Sequence, residues 1–111
     1  MKILLRFVEG AAVALCQSEE NTLCRGENNS VELLPTRYDL YPYHGGIAWG
    51  YTGSGPTNLA YAIAARIFEY EANPDFDSYS SKIKENLLAT LDQDKEYDLT
   101  SEMIRSSVQI N

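Results

Sequence analysis

The chain opens on a period of two. From Lys2 to Val8 the apolar residues Ile3, Leu5 and Phe7 alternate with Lys2, Leu4 and Arg6, which predicts a β-strand with one strongly apolar face. Glu9-Gly10 is the predicted turn, and Ala12 to Gln17 the antiparallel partner, with Val13 and Leu15 expected to face the core. After the polar loop Ser18-Glu19-Glu20-Asn21, Thr22 to Arg25 is a candidate third strand and Gly26-Glu27-Asn28-Asn29 a turn. Val31 and Leu33 then alternate around Glu32 until Pro35 ends the ladder or marks an edge. The expectation is a meander of three or four strands, to which Ile47 to Tyr51 adds a candidate short strand.

Further on the period changes to that of a helix. Leu59, Ile63 and Ile67 recur at i, i+4 and i+8, flanked by Ala60, Ala62, Ala64 and Ala65, with Phe68 and Tyr70 expected to close the far end. Because a residue before proline avoids the α region, Gly55 is the predicted N-cap and Pro56 the first helical residue. Asn73-Pro74-Asp75 breaks the chain, and Ser78 or Ser80 is placed to cap a second helix carrying Ile83, Leu87, Leu88 and Leu91. A third helix is predicted from Thr100 as N-cap, with Glu102 near the positive dipole end, Leu99 stapled to Ile104, and Met103, Ile104 and Val108 buried. The predicted fold is α+β: an N-terminal antiparallel sheet of three to five strands packed on a central helix, with two further C-terminal helices, in a single domain of residues 1–111.

The segment Trp49-Gly50-Tyr51-Thr52-Gly53-Ser54-Gly55-Pro56 concentrates three glycines in six residues at the start of that central helix. Together with Leu59-Ala60 and Ala62-Ile63 it reads Trp-Gly-Tyr-x-Gly-Ser-Gly-Pro-x-x-Leu-Ala-x-Ala-Ile. The pattern resembles the signature of a family of short phage and bacterial proteins, a domain of unknown function. The position before the tryptophan, usually acidic or polar in that signature, is Ala48. The resemblance extends weakly into the strand-rich N-terminal half and the helical tail from Leu99 to Val108. It implies an architecture and a phage or mobile-element origin, and it assigns no catalytic residue.

Charge separates the function classes that remain. The net charge of −7 is uneven: residues 1–68 carry six acids and five bases, and residues 69–111 ten acids and four bases. Such a surface disfavours nucleic acid and anionic lipid, both of which require cationic side chains, and suits a partner with a basic surface. A solvated acidic surface serving solubility is the plainer alternative. Apolar content of 44% with 11% aromatics argues against disorder at this charge. Met1 to Val8 is too short and too soon interrupted by Arg6 for a signal peptide, and no run approaches membrane-spanning length, so a cytoplasmic protein is expected. Cys16 and Cys24 have neither redox-pair nor zinc spacing, and His44 is the sole histidine, so neither a metal nor a cofactor is expected.

Four candidate chemistries follow from particular residues. The helix start, Trp49, Tyr51, Gly53, Ser54 and Gly55, offers unpaired N–H groups and a positive dipole end to a phosphorylated or carboxylated small molecule, although it lacks the lysine of a P-loop. The competing reading is a tight turn that seats the helix with Trp49 and Tyr51 in the core. A hydrolase would need Ser54 and His44 to meet. Asp92-x-Asp94-x-Glu96-x-Asp98 imitates the start of an EF-hand loop, but position six is Tyr97 and position twelve Met103, so an acidic interhelical loop is expected instead. Finally Tyr38, Tyr41 and Tyr43 form a tyrosine-rich connection suited to an interface. The preferred reading is a small acidic interaction protein, not an enzyme. It would bind a host protein through Asp92, Asp94, Glu96 and Asp98 together with these tyrosines, with inhibition of a host defence or nucleic-acid-processing protein as the weaker extension. Homodimerisation through a sheet edge stays open.

Overall fold

The computed structural model describes residues 1–18 and 31–109. The candidate strand Thr22–Arg25, the turn at residues 26–29 and Cys24 lie outside these. Strands β1 (Lys2–Val8) and β2 (Ala11–Gln17) form the predicted hairpin, turning through Glu9 and Gly10, both at positive φ. β3 (Val31–Leu33) pairs with β2. A fourth strand, β4 (Tyr97–Thr100), comes from the far end of the chain and pairs with the other side of β1. The sheet is antiparallel throughout, in the order β3-β2-β1-β4. With helices α1 (Ser54–Ile67), α2 (Phe76–Asn86) and α3 (Ser101–Val108) it makes an α+β fold.

Cross-strand register decides which face is buried. Ile3, Leu5 and Phe7 lie opposite Cys16, Ala14 and Ala12, and directly opposed residues share a face. The inner face of β2 is therefore Ala12, Ala14 and Cys16, and Val13 and Leu15 point away from the helices, contrary to expectation. Val31 and Leu33 share that outer face, opposite Gln17 and Leu15, and are exposed. Small residues on the inner face of β2 sit in one core with Leu59, Ile63 and Ile67 of α1, as the helical stripe predicted. Ile83, Leu88, Leu99 and Ile104 complete it, all without solvent exposure.

The helix ends differ from expectation in instructive ways. α1 begins at Ser54 with Gly53 as cap, so Gly55 is helical although it precedes proline. Glycine escapes the Cβ part of the clash that drives other residues from the α region there. α2 is capped by Asp75, whose carboxylate accepts from the Ser78 N–H at 3.1 Å, rather than by Ser78 or Ser80. It ends at Asn86, and Leu88–Thr90 form a separate 3₁₀ turn, so Leu87, Leu88 and Leu91 do not extend its stripe. α3 begins as predicted, the Thr100 hydroxyl accepting from the Met103 N–H at 3.1 Å. Met103 itself is exposed, and Tyr70 is 93% exposed where it was expected to close α1. Phe68 alone closes that end, against the ring of Tyr79 at 4.4 Å and under the Arg105 guanidinium at 5.1 Å.

Core membership has a direct thermodynamic test. Ile63→Ala should lower unfolding free energy by about 2–5 kcal/mol, through lost transfer energy and the cavity left behind. Tyr70→Ala should change it by less than about 0.5 kcal/mol. Chemical denaturation of the two variants beside the parent chain checks both, and a Tyr70 effect as large as that of Ile63 would contradict this packing.

Candidate binding surface

The Trp49-to-Pro56 segment resolves into a set of packing devices. Trp49 is 1% exposed, its indole N–H donates to the Lys95 carbonyl at 2.9 Å, and its ring lies 5.2 Å from that of Phe7. Gly50 has φ +96°, and a Cβ there would stand 2.6 Å from the Gln93 backbone nitrogen. Its own N–H donates to the Leu88 carbonyl at 2.9 Å. Together these two residues dock the 88–95 segment. Tyr51 is 46% exposed rather than buried, and its ring crosses Gly53, where a Cβ would come within 2.7 Å of it. Its hydroxyl reaches the neighbourhood of Gly55. Trp49 and Tyr51 also line a cavity of about 190 Å³ with Phe7, Ala12, Ala48 and Gln93.

Ser54 is exposed, and His44 packs on Tyr38 with ring centroids 4.6 Å apart. Among the described residues neither side chain has a hydrogen-bond partner, and no group of three or more histidines, cysteines or acids is placed to hold a metal. Cys16 is a free, buried thiol whose pKa is raised, chiefly by burial.

The acidic stretch is largely engaged within the chain. Asp98 pairs with Arg6 at 2.6 Å, and Glu96 accepts the Phe7 N–H at 2.9 Å. Asp92 accepts the Asp94 N–H at 2.9 Å and stands 3.9 Å from the Lys95 ammonium. Asp94 is exposed, its carboxylate without a partner among the described residues.

The tyrosines, by contrast, converge. Arg37 clasps Asp39 through two hydrogen bonds of 2.9 and 2.8 Å, holding the Asp39 carboxyl below its ordinary pKa, and accepts the Leu40 and Tyr41 N–H groups on its carbonyl. That turn lays Tyr41 flat on Tyr61 of α1, centroids 5.3 Å apart at 8°, with Tyr43 5.7 Å from Tyr41. Tyr61 donates to Asp77 of α2 at 2.5 Å. The loop's far end is pinned where Asn58, 2% exposed, donates its amide N–H to the Gly46 carbonyl at 2.9 Å. Of the residues named from sequence, Tyr41 and Tyr43 thus meet on one surface, whereas Tyr38 packs on His44 in the same loop. Tyr61 and Asp77 complete that surface, the buried Asn58 anchors the loop from within, and all three were missed. Asn58 carried a signal, since a polar amide inside an otherwise apolar helical stretch needs a partner.

The sequence matches a family of unknown function (DUF6166) over residues 11–110, and the chain belongs to that family. No curated protein and no solved structure matches it.

The Tyr61–Asp77 contact sets a pH response. The carboxylate accepting its proton, and then burial, raise the phenol's pKa above the ordinary value of about 10. A raised folded-state pKa favours folding fully below the unfolded value, and the contribution disappears as pH rises through the folded one. Asp77→Asn should bring the Tyr61 titration down toward ordinary tyrosine, as read by ring-carbon NMR shifts. An unchanged midpoint would show that Asp77 does not hold this proton.

Proposed function

We propose that the chain is a protein-interaction module whose binding surface is the tyrosine face, Tyr41, Tyr43 and Tyr61 with Asp77, extended along the same loop by Tyr38, and whose partner presents arginine or lysine to it. The observation that carries the reading is the stacking of Tyr41 on Tyr61 beside the Asp77 carboxylate. Aromatic faces next to a carboxylate attract cations by quadrupole and by charge, at about 0.5–2 kcal/mol for each cation–π contact. Tyrosines held by a clasped turn lose little freedom on binding. The net charge of −7 adds long-range attraction for a basic partner.

The binding region is therefore moved from the acidic stretch toward the tyrosines. With Asp92, Glu96 and Asp98 engaged internally, Asp94 is what that stretch offers as a free carboxylate. The resemblance of the Trp49-to-Ile63 pattern to phage sequences supports a phage origin, a host cytoplasm as the setting and a host protein as the partner. Inhibition of that protein is the natural consequence of covering its basic surface.

The test is affinity capture from a nuclease-treated bacterial lysate using the parent chain, the Tyr41→Ala/Asp77→Asn double variant and Asp94→Lys. One stoichiometric protein should be retained by the parent chain, fall at least tenfold with the double variant and survive Asp94→Lys. Recovery of a small anion alone, or equal loss with both variants, would contradict a tyrosine-face interaction module.

A further inference from the structure

One edge of the sheet is left partly unpaired. Leu34 N–H donates to the Ala14 carbonyl at 2.9 Å, so Ala14 is in a hydrogen-bonded pair and the even-numbered residues of β2 direct their backbone groups toward β3. The next such residue is Ala12, and the register places Thr36 opposite it. Pro35 follows Leu34, and the chain leaves the sheet for the turn built on the Arg37 carbonyl. The Ala12 N–H and C=O on that side have no partner among the described residues.

A cleft occupies the same position. It measures about 250 Å³ and straddles the edge: Leu33 and Val13 line it from the outer face of the sheet, Ala12 and Leu34 from the inner, and Ile47 and Leu59 close it from across. A dry apolar cavity of about 150 Å³ accommodates benzene, so this one has room for an aliphatic or aromatic side chain. Its lining is mainly apolar, yet a backbone donor and acceptor are presented along it. A small hydrocarbon would leave those two groups unsatisfied. A peptide strand would pair them and fill the apolar space with the side chain directly opposite Ala12, which must share Ala12's inward face.

We infer that the cleft beside Ala12 receives an extended peptide segment of a partner, added antiparallel to β2 in line with β3, with an apolar residue facing Leu59 and basic residues facing solvent. The inference rests on the interaction-module reading and names the form of the partner's segment. Continuity supports this occupant, because the cleft lies between Thr36 and Gly46, the two ends of the tyrosine loop. A segment entering it runs beside the tyrosine face, whose stacked rings and Asp77 carboxylate suit lysine or arginine at the outward positions of the same segment.

The probe is a capped six-residue synthetic peptide alternating leucine or valine with lysine, set beside the same peptide N-methylated at its central apolar residue. In the free protein the Ala12 amide should exchange with deuterium at least tenfold faster than that of Val13, which pairs with Arg6 in the ladder. Peptide should protect Ala12 at least tenfold and shift Ile47 and Leu59 resonances. N-methylation should weaken binding about tenfold by removing one hydrogen bond from a short pairing. Ala12→Leu, which extends a side chain into the cleft, should abolish binding while the folded spectrum persists. Shifts confined to Tyr41, Tyr43 and Tyr61 with Ala12 exchange unchanged would overturn strand addition and leave the tyrosine-face reading standing. No perturbation anywhere overturns the inference, whereas the tyrosine reading stands or falls on the lysate capture. Benzene saturating the cleft where peptide does not, or Ala12 protection that rises with protein concentration alone, would reassign the cleft to a small apolar molecule or to a second copy of this chain.

Discussion

Trp49 has to be buried without losing a partner for its one donor, and much of the architecture answers that requirement. The indole reaches the Lys95 carbonyl, and Gly50, one residue on, accepts the close approach of Gln93 that an L side chain would block. The segment from Leu88 to Lys95 is thereby fixed against the start of α1, and it delivers β4 to the free side of β1. That pairing is non-local: Phe7 and Glu96 meet across 89 residues of sequence. Loop closure over such a span is unfavourable until several contacts form together, and here they do. The indole anchor, the Glu96 carboxylate on the Phe7 N–H and the Arg6–Asp98 pair all converge on one end of the β1–β4 ladder.

The same geometry explains why the acidic stretch behaves unlike a docking patch. Phe7 is the next β1 residue whose backbone groups point toward β4 after Leu5, and the strand runs out before reaching it. A glutamate side chain supplies the acceptor that backbone no longer provides. Asp98 neutralises Arg6 on the outer face, and Asp92 closes a turn over Asp94. Carboxylates spaced every second residue look like a binding array in sequence, but three of the four are engaged within the chain, Glu96 and Asp98 on β1 and Asp92 in its own turn. The tyrosine surface, where among the described residues Asp77 is the carboxylate bonded to a ring hydroxyl, is then the better place for a cation.

Periodicity made α1 readable, because Leu59, Ile63 and Ile67 have no competing pattern, and the Thr100 cap was readable because its chemistry is local. β2 was not, since Ala12, Ala14 and Cys16 compete with Val13 and Leu15 on two faces that are both apolar. Only pairing with Ile3 and Leu5 breaks that tie. Four residues, Tyr97-Asp98-Leu99-Thr100, are too few to announce a strand, and their place in the sheet depends on a tryptophan far away in sequence. The tyrosine loop was visible as density of one residue type. Its completion by Tyr61 and Asp77 required knowing that α1 and α2 pack side by side, which no local pattern records.

Pro35 connects the two halves of the surface. It follows Leu34, whose N–H makes the last ladder bond; its own missing N–H faces away from β2, and the chain leaves the sheet one pair short of Ala12, so that the residues released from pairing become the tyrosine loop. That loop returns at Gly46, where Asn58 spends its amide donor and leaves its carbonyl oxygen buried without a partner among the described residues. An open backbone pair on β2 and a rigid aromatic face are therefore two results of one chain departure. Lengthening β3 by two residues would close the first and dismantle the second.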